Sequence, residues 1–154
     1  MISKKEQIIE YFKSGTKIED NMKLGVEHEK FVFDLNTNKR ADYKKIIKMF
    51  ECLFEFGWKP VFEGKNIIGL NKKDKNISLE PGNQIELSGA KLDNIHQVCS
   101  ESQNYLFELK QVLKKNNLKI ISAGFDPISK LSDVPNNPKK RYNIMTRDMP
   151  DGGS

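Results

Sequence analysis

Apolar residues recur at intervals of three and four along three stretches of the chain, a pattern that predicts amphipathic helices. The first helix begins at a capping box, Ser3-Lys4-Lys5-Glu6, and ends at Gly15. The second occupies residues 42–56 and ends at a glycine. The third and longest begins after the cap residue Asp93 and ends at Asn116-Asn117. Each of these helices needs a surface on which to bury its apolar side.

Between the second and third helices the period of the pattern falls to two, which is typical of strands with one buried face. Short segments separated by turn residues predict an antiparallel meander with strands at residues 58–63, 67–71, 76–80 and 84–88. Two more strands are predicted outside the meander, at residues 23–35 and 119–125. Together the elements predict an α+β fold in which helices cover one face of an antiparallel sheet and leave the other face to a ligand.

The C-terminal part of the chain has little hydrophobic periodicity. Residues 126–140 contain three prolines and predict a surface loop, and residues 141–149 predict a short helix or an extended lid segment. A chain of 154 residues is long enough for one domain with a core of its own. We therefore expect residues 1–154 to belong to a single domain.

The net charge of +5 raises the question of nucleic-acid binding. Only three of the 26 basic residues are arginines, and lysine lacks the planar fork that reads bases in pairs of hydrogen bonds. The lysines are also spread along the chain, which favours a solvated surface. No run of 18 apolar residues is present. We therefore expect neither a nucleic acid nor a membrane as partner, and the pattern gives no indication of the oligomeric state.

Two features predict a cytoplasmic location. Cys52 and Cys99 have no Cys-x-x-Cys or Cys/His spacing, so we expect buried thiols in a reducing compartment. The first residues, Met1-Ile2-Ser3-Lys4-Lys5, are not followed by the apolar stretch of a secretory signal.

Candidate chemistry lies in two acidic segments. Residues two apart in a strand point to the same face, so Glu27 and Glu29 share a face and His28 points to the other, where packing is its simplest role. The same rule places Gln84 and Ser88 on one face together with Glu86, which lies between them.

The position of Glu80 relative to Glu86 depends on the turn between them. A two-residue turn would send the two glutamates to opposite faces, whereas an odd-length loop or a bulge would place them on the same face. We expect a bulge at Gly82-Asn83, because both residue types tolerate a left-handed backbone. Otherwise one carboxylate would be pressed into the core, at a cost of roughly several kcal/mol.

Four carboxylates on one open face repel one another unless a cation lies between them, and their pKa values should then rise. Hard oxygen ligands of this kind suit Mg²⁺ or Mn²⁺, which proteins often hold together with substrate phosphates. The alternative is that these glutamates only solvate the sheet face and pair with some of the many lysines.

Four segments, taken in order, carry a family resemblance: Leu24-Gly25-Val26-Glu27-His28-Glu29-Lys30-Phe31, Gly57-Trp58-Lys59-Pro60, residues 78–90, and Arg141-Tyr142-Asn143-Ile144-Met145 with Met149-Pro150. They resemble the N-terminal part of glutamate–cysteine ligase of the plant and proteobacterial type. Proteins of that family are substantially longer. The resemblance therefore implies that residues 1–154 form the N-terminal part of a single ligase catalytic domain, whose glutamine-synthetase-like carboxylate–amine ligase fold is incomplete in this chain.

The resemblance also implies an activity, namely ATP-dependent joining of the γ-carboxylate of glutamate to the amine of cysteine through a γ-glutamyl phosphate, the first step of glutathione synthesis. Glutamate, cysteine and ATP would be the small-molecule partners, and ATP and Mg²⁺ the cofactors. Carried over by position, the residues implied in contact with Mg²⁺ and the ATP phosphates are Glu27, Glu29, Glu80 and Glu86. Of these, Glu27, Glu80 and Glu86 would be catalytic and Glu29 would bind the cofactor. Gln84 and Ser88 would line the substrate pocket, and Arg141 would meet a substrate carboxylate or phosphate.

Three other interpretations stay open at this stage. The protein could be a ligase of the same fold that accepts a different acid or amine. It could be a non-catalytic module that binds a metal or a nucleic acid. It could also be a truncated domain without activity of its own, because sites shared across a fold lose more than additively when part of the fold is removed.

Overall fold

The structure is a computed structural model that describes residues 2–17 and 22–149. Its six strands are β1 Glu27–Asp34, β2 Lys59–Glu63, β3 Asn66–Lys72, β4 Lys75–Glu80, β5 Gln84–Ser88 and β6 Leu118–Ile121. Its four α-helices are α1 Lys5–Ser14, α2 Tyr43–Leu53, α3 Ile95–Lys115 and α4 Lys140–Asp148. Short 3₁₀ turns occupy Phe54–Phe56, Pro81–Asn83 and Leu131–Asp133.

The strands form one antiparallel sheet in the order β2-β3-β4-β5-β1-β6. The meander β2 to β5 is the one that the period of two predicts. β1 joins it at β5, through its first half, and pairs with β6 through its second half. The predicted antiparallel α+β architecture is thereby confirmed.

One face of the sheet carries the core. Apolar residues at alternate strand positions pack against the buried sides of α2 and α3; they are Val32, Leu70, Ile77, Leu79, Ile85 and Leu87 from the sheet and Ile46, Met49, Phe50, Leu53, Tyr105, Leu109 and Val112 from the helices. Burial of this apolar surface is the main stabilising term of the fold. The other face of β4, β5 and the first half of β1 is not covered by these helices, as predicted.

Helix ends and strand lengths differ from the prediction in several places; β1, for example, begins at Glu27 and not at residue 23. The cap of α3 is Asn94, whose side chain accepts a hydrogen bond from the backbone N–H of Gln97 at 3.0 Å, while Asp93 pairs with Lys23. At α1, Gln7 Oε1 replaces the expected Glu6 as the acceptor for the N–H groups that precede the helix. The strand β6 is shorter than residues 119–125 and ends at Ile121.

The turn between β4 and β5 decides which side chains share a face. It has three residues, Pro81–Asn83, with positive φ at Gly82 (64°) and Asn83 (58°). The last pair of the hairpin is Glu80 with Gln84, so the loop has an odd length. The predicted bulge at Gly82-Asn83 is wrong in kind, because the pairing runs without a register shift to a three-residue turn. Its predicted consequence is confirmed, since Glu80 lies on the same face as Glu86.

The turn is fixed from outside by Arg40. Its guanidinium donates to the carbonyl oxygen of Gly82 and to Asp126 Oδ2, the latter at 2.9 Å, and it lies over the ring of Phe31 at 4.6 Å from the centroid. Asn83 is also buried, and its Nδ2 donates to the carbonyl oxygen of Ala41 at 3.2 Å. The turn is therefore anchored by both its backbone and a side chain.

We expect Gly82→Ala to lower the free energy of unfolding more than Gly64→Ala does. Both glycines have positive φ, which costs an L-residue roughly 1–2 kcal/mol. A Cβ at Gly82 would also lie 2.6 Å from Val134 Cγ1 and 3.2 Å from Arg40 Nη2, whereas one at Gly64 would have nothing within 4 Å. Crowding should add about 1 kcal/mol or more at Gly82. Urea unfolding measures both variants, and equal losses would contradict this account of the turn.

Candidate functional site on the acidic sheet face

The face of the sheet opposite α2 and α3 gathers the predicted site residues. Cross-strand partners point to the same side, and the register pairs Glu29 with Glu86, Glu27 with Ser88, and Glu80 with Gln84. We call this surface the acidic face; its members are Glu27, Glu29, Ser78, Glu80, Gln84, Glu86 and Ser88. Every strand residue that the sequence predicted for the site lies on it.

Side-chain hydrogen bonds connect these residues in pairs. Gln84 Nε2 donates to Glu29 Oε2 at 3.1 Å, which links β5 to β1. Ser88 Oγ donates to Glu86 Oε1 at 3.2 Å. These contacts orient one oxygen of each carboxylate and leave the other oxygen available to a ligand.

Glu80 has the most crowded carboxylate of the acidic face. Its Oε1 accepts from Ser78 Oγ at 2.7 Å and from Lys139 Nζ at 3.2 Å. Its Oε2 accepts from Arg141 Nη2 at 2.7 Å and from the Tyr142 hydroxyl at 2.5 Å. A carboxylate has about four lone-pair sites, so this one is saturated.

The surroundings of Glu80 stabilise its charged form. Partial burial raises the pKa of a carboxyl, but hydrogen bonds from Tyr142, Ser78 and Lys139 and the charge of Lys139 outweigh burial and hold the pKa of Glu80 below its usual range. This result is opposite to the rise that mutual repulsion predicts. The reason is that two protein cations already neutralise this carboxylate.

Glu86 behaves as the repulsion argument predicts. Burial raises its pKa, and the nearby charges of Glu80, Glu27 and Glu29 raise it further, against a lowering by the Ser88 hydrogen bond. Within the part of the chain that the structure describes, no cation is among the main causes of this shift. An added cation would therefore be stabilised here more than at Glu80.

Three residues that contact Glu80 at the candidate site were missed by reasoning from the sequence alone. Ser78 lies two residues before Glu80, so strand alternation could have placed it on the acidic face. Tyr142 follows Arg141 directly. Lys139 lies in the proline-containing loop, where no periodicity predicts the direction of a side chain. Arg141, by contrast, was predicted, and it reaches the acidic face from α4 through Glu80.

The donor set of the acidic face fits a hard divalent cation in its chemistry, because it offers carboxylate, amide and hydroxyl oxygens without soft ligands. In residues 2–17 and 22–149, however, no three His, Cys, Asp or Glu side chains are close enough to hold one metal ion together. Mg²⁺ is commonly held by one or two carboxylates plus substrate phosphates, so Glu27, Glu29 and Glu86 fit that mode of binding singly or in pairs and not as three ligands of one ion. Glu80 does not fit it while all its lone pairs are occupied.

One hollow adjoins the acidic face, and a larger one lies elsewhere on the molecule. The first, of about 320 Å³, lies at the ends of β1 and β5 and is lined by Gly25, Val26, Glu27, Ser88 and Gly89. A Cβ at Gly89 would come within 2.5 Å of Glu101 Oε1 and 3.1 Å of the backbone oxygen of Val26, so a side chain there would have to displace these atoms. A larger hollow of about 500 Å³, between α2 and the β2–β3 hairpin, is lined mainly by lysines and apolar residues and lies away from the acidic face.

Residues behind the sheet have structural roles. His28 Nε2 lies 3.1 Å from Ser102 Oγ of α3, which confirms its prediction as a packing residue. The prediction of two buried thiols is wrong for Cys99, which is exposed, and Cys52 is only half-buried. Among the described helices, none is long and apolar enough to span a bilayer.

Comparison with known proteins shows which of them the chain resembles. The family model of glutamate–cysteine ligase family 2 (GCS2) matches residues 23–154. The chain is 42% identical over 151 residues to the chloroplastic glutamate–cysteine ligase of Medicago truncatula, covering 97% of this chain and 30% of that protein. The Nicotiana tabacum and Arabidopsis thaliana proteins of the same name are 42% and 41% identical, each with 97% of this chain and 29% of the relative covered. The chain thus spans about three tenths of the length of these curated relatives.

The names of these relatives correct one prediction. All three proteins are named chloroplastic, which contradicts the cytoplasmic location predicted from the sequence. The prediction rested on cysteines without a disulfide framework and on first residues that are not followed by the apolar stretch of a secretory signal. Such cysteines indicate a reducing compartment but do not distinguish one reducing compartment from another.

We expect Glu86 and Glu80 to shift the pH dependence of stability in opposite directions. The raised pKa of Glu86 means that its stabilising contribution is present below the ordinary pKa of 4.5 and is lost as the pH rises through the folded-state value. The Glu86→Gln variant should therefore gain stability relative to the unmodified chain as the pH rises through this window. Urea unfolding at a series of pH values measures the difference.

The Glu80→Gln variant is the matched control. The lowered pKa of Glu80 means that its contribution is present above 4.5 and is lost as the pH falls through the folded-state value. This variant should lose stability relative to the unmodified chain as the pH rises. A change of the same sign in both variants would show that the charges of the acidic face are not divided in this way.

Proposed function

The chain belongs to glutamate–cysteine ligase family 2, and from this membership we propose that it is the N-terminal part of the catalytic domain of an enzyme that joins the γ-carboxylate of L-glutamate to the amine of L-cysteine at the expense of ATP. This reaction is the first step of glutathione synthesis. The single observation that carries the proposal is that the acidic residues of two family segments, 24–31 and 78–90, meet on one open sheet face.

The chemistry explains why such a face is useful. A carboxylate is a poor electrophile, so its oxygen first takes the terminal phosphoryl group of ATP, which releases ADP and gives γ-glutamyl phosphate. The cysteine amine then attacks the acyl carbon, phosphate leaves with the bonding electrons, and the amine loses a proton. Phosphoryl transfer depends mainly on positioning and on neutralising charge.

Glu27, Glu29 and Glu86 are the proposed ligands of Mg²⁺, with each ion held by one or two of them together with phosphate oxygens. They lie on adjacent strands, and the raised pKa of Glu86 reflects burial and the charges of its neighbours, which a cation would offset. When bound, Mg²⁺ would neutralise part of the negative charge on the phosphates of ATP. Glu29 is also held by Gln84, so this amide fixes the direction in which the carboxylate points.

The remaining proposed roles concern the substrate. Gln84 and Ser88 flank Glu86 on β5 and present an amide and a hydroxyl to a ligand on the acidic face. Arg141 brings a guanidinium to the same face, and its side chain is 61% exposed. A planar guanidinium is suited to a carboxylate or a phosphate, because it can donate two parallel hydrogen bonds. Glu80 belongs to the proposed catalytic site through the cations that it binds.

We expect the protein expressed from its complete reading frame to release ADP only when glutamate and cysteine are both present. Glu86→Gln should lower kcat/KM by about 10² or more, because it removes a proposed ligand of the Mg²⁺ that would neutralise charge on the phosphates. Glu55→Gln removes an equal charge from an exposed pair with Lys115 and should leave kcat/KM nearly unchanged. Coupled ADP detection measures all three proteins.

The same assay separates the proposed reaction from its relatives. If ADP release depends on glutamate but cysteine is no better than other amines, the protein is a carboxylate–amine ligase with a different second substrate. If no acid and amine pair supports ADP release, the proposed function is wrong.

We expect the 154-residue chain alone to show no ligase turnover. It spans about three tenths of its relatives, and residues that act as one site lose activity far more than additively when some are removed. Chromatographic detection of γ-glutamylcysteine with the purified chain tests this expectation. Formation of this product at a rate typical of an enzyme would overturn it.

A further inference from the structure

Glu80 is contacted mainly by one short segment of the chain. We call residues 137–142 the strap, because they cross the end of the acidic face. The strap consists of the last residues of the proline-containing loop and the first residues of α4. Asn137 Nδ2 donates to the backbone carbonyl of Glu80 at 2.9 Å, and Asn137 Oδ1 accepts from the N–H of Lys139 at 2.9 Å. Both the backbone and the side chain of Glu80 are therefore bound to the strap.

Polar contacts hold α4 against the sheet. The strap includes the first residues of this helix. α4 has no buried residue, so apolar burial does not fix its position. Its N-terminal N–H, at Lys140, donates to Glu63 Oε2 at 2.8 Å, and its first turn holds Glu80 through Arg141 and Tyr142. The side chain of Glu80 is only 13% exposed, so these charged hydrogen bonds are partly shielded from water.

The three side chains of the strap also order one another. The Tyr142 hydroxyl donates to Glu80 Oε2 and accepts from Arg141 Nη2 at 2.7 Å. The Arg141 guanidinium lies over the Tyr142 ring at 4.8 Å from its centroid. Burial and the bond to Glu80 raise the pKa of Tyr142 to about 12, so the hydroxyl remains a donor at neutral pH. Arg141 is thus fixed by Glu80 and Tyr142 on one edge of its guanidinium.

We propose that Glu80 is a positioning residue, which docks the strap and holds the Arg141 guanidinium above the acidic face, and that Tyr142 bridges the two. Among the described residues, Arg141 hydrogen-bonds through Nη2 alone, so Nε and Nη1 remain to receive an anion. The anion is a carboxylate or a phosphoryl group, and this identification alone rests on the proposed function. The cations around Glu80 take the place that a metal ion would need there. The acidic face is thereby divided into an anchor, Glu80, and a cation-binding group, Glu27, Glu29 and Glu86.

Amide hydrogen exchange of residues 141–148 in the 154-residue chain tests the anchor. Glu80→Gln should speed exchange in this segment by about ten-fold or more, because it removes the charge from four hydrogen bonds. Glu86→Gln removes the same charge from the same face without touching the strap and should leave this exchange unchanged. Equal exchange in Glu80→Gln and the unmodified chain overturns the proposal.

A second variant guards against misfolding of the first. Tyr142→Phe removes one hydroxyl from a helix that has no buried residue, so it cannot disrupt the core. It should speed exchange in residues 141–148 while the exchange of β4 and β5 stays as in the unmodified chain. Unchanged exchange in α4 would count against the bridge.

Binding of Mn²⁺ alone, followed by electron paramagnetic resonance, separates an anchor from a metal ligand. Glu86→Gln should weaken binding by roughly ten-fold or more. Glu80→Gln should leave the affinity for Mn²⁺ within about five-fold of that of the unmodified chain. A change of this size is expected because the released cations of the protein repel the metal ion. A loss as large in Glu80→Gln as in Glu86→Gln overturns the division of the face. If the unmodified chain binds no Mn²⁺, the proposed metal site fails, and hydrogen exchange alone still supports or overturns the anchor.

Kinetics of the protein expressed from its complete reading frame distinguish positioning from a purely structural role. Tyr142→Phe should raise the KM for the anionic substrate several-fold with kcat within about two-fold, because a displaced Arg141 loses binding common to the ground and transition states. A fall in kcat with an unchanged KM would contradict positioning. Absence of glutamate-dependent ADP release in the unmodified protein would refute the proposed function and leave the exchange result intact.

Discussion

The arrangement of the candidate site depends on the parity of one turn. Because strand side chains alternate, the three residues between Glu80 and Gln84 decide whether β4 and β5 present their polar side chains to the same face. The turn needs two consecutive residues in the left-handed region, and glycine and asparagine adopt that conformation most readily. Arg40 then holds the turn by its backbone. A turn shorter or longer by one residue would exchange the core side of β5 with its acidic side.

Given this parity, the charges of the acidic face fall into two groups with different environments. Glu80 is surrounded by donors and cations of the protein, whereas Glu86 is raised in pKa by burial and by other carboxylates. Two glutamates on adjacent strands therefore have pKa values shifted in opposite directions, because the groups that surround them differ. Of the two, Glu86 has the environment in which an external cation would be most stabilised, and Glu80 has the one in which no further cation is needed.

Much of the fold was predictable because it depends on short-range rules. Alternation placed Glu27, Glu29 and Glu86 on one face. The residue types at Gly82 and Asn83 indicated a left-handed backbone there, which was expected as a bulge and is found as the odd turn that adds Glu80. Choices between equivalent local solutions were not predictable. Asp93 and Asn94 are both good N-caps, and the pairing of Asp93 with Lys23, distant in sequence, leaves the cap to Asn94. The end of β6 was also mispredicted. The strand stops at Ile121, and the poor strand formers Ala123 and Gly124 lie in the part that was predicted to continue it.

The contacts between the strap and Glu80 were beyond prediction for a different reason. They join residues about 60 positions apart across a loop without periodicity, so only the folded chain reveals them. Their nature also has a consequence. A segment docked by burial of apolar surface would not be released by the screening of charges. α4, by contrast, is held by charged and polar groups. Interactions between partly exposed charges are screened as salt is added. The ionic strength of the surrounding fluid therefore affects how firmly α4 is docked on the sheet.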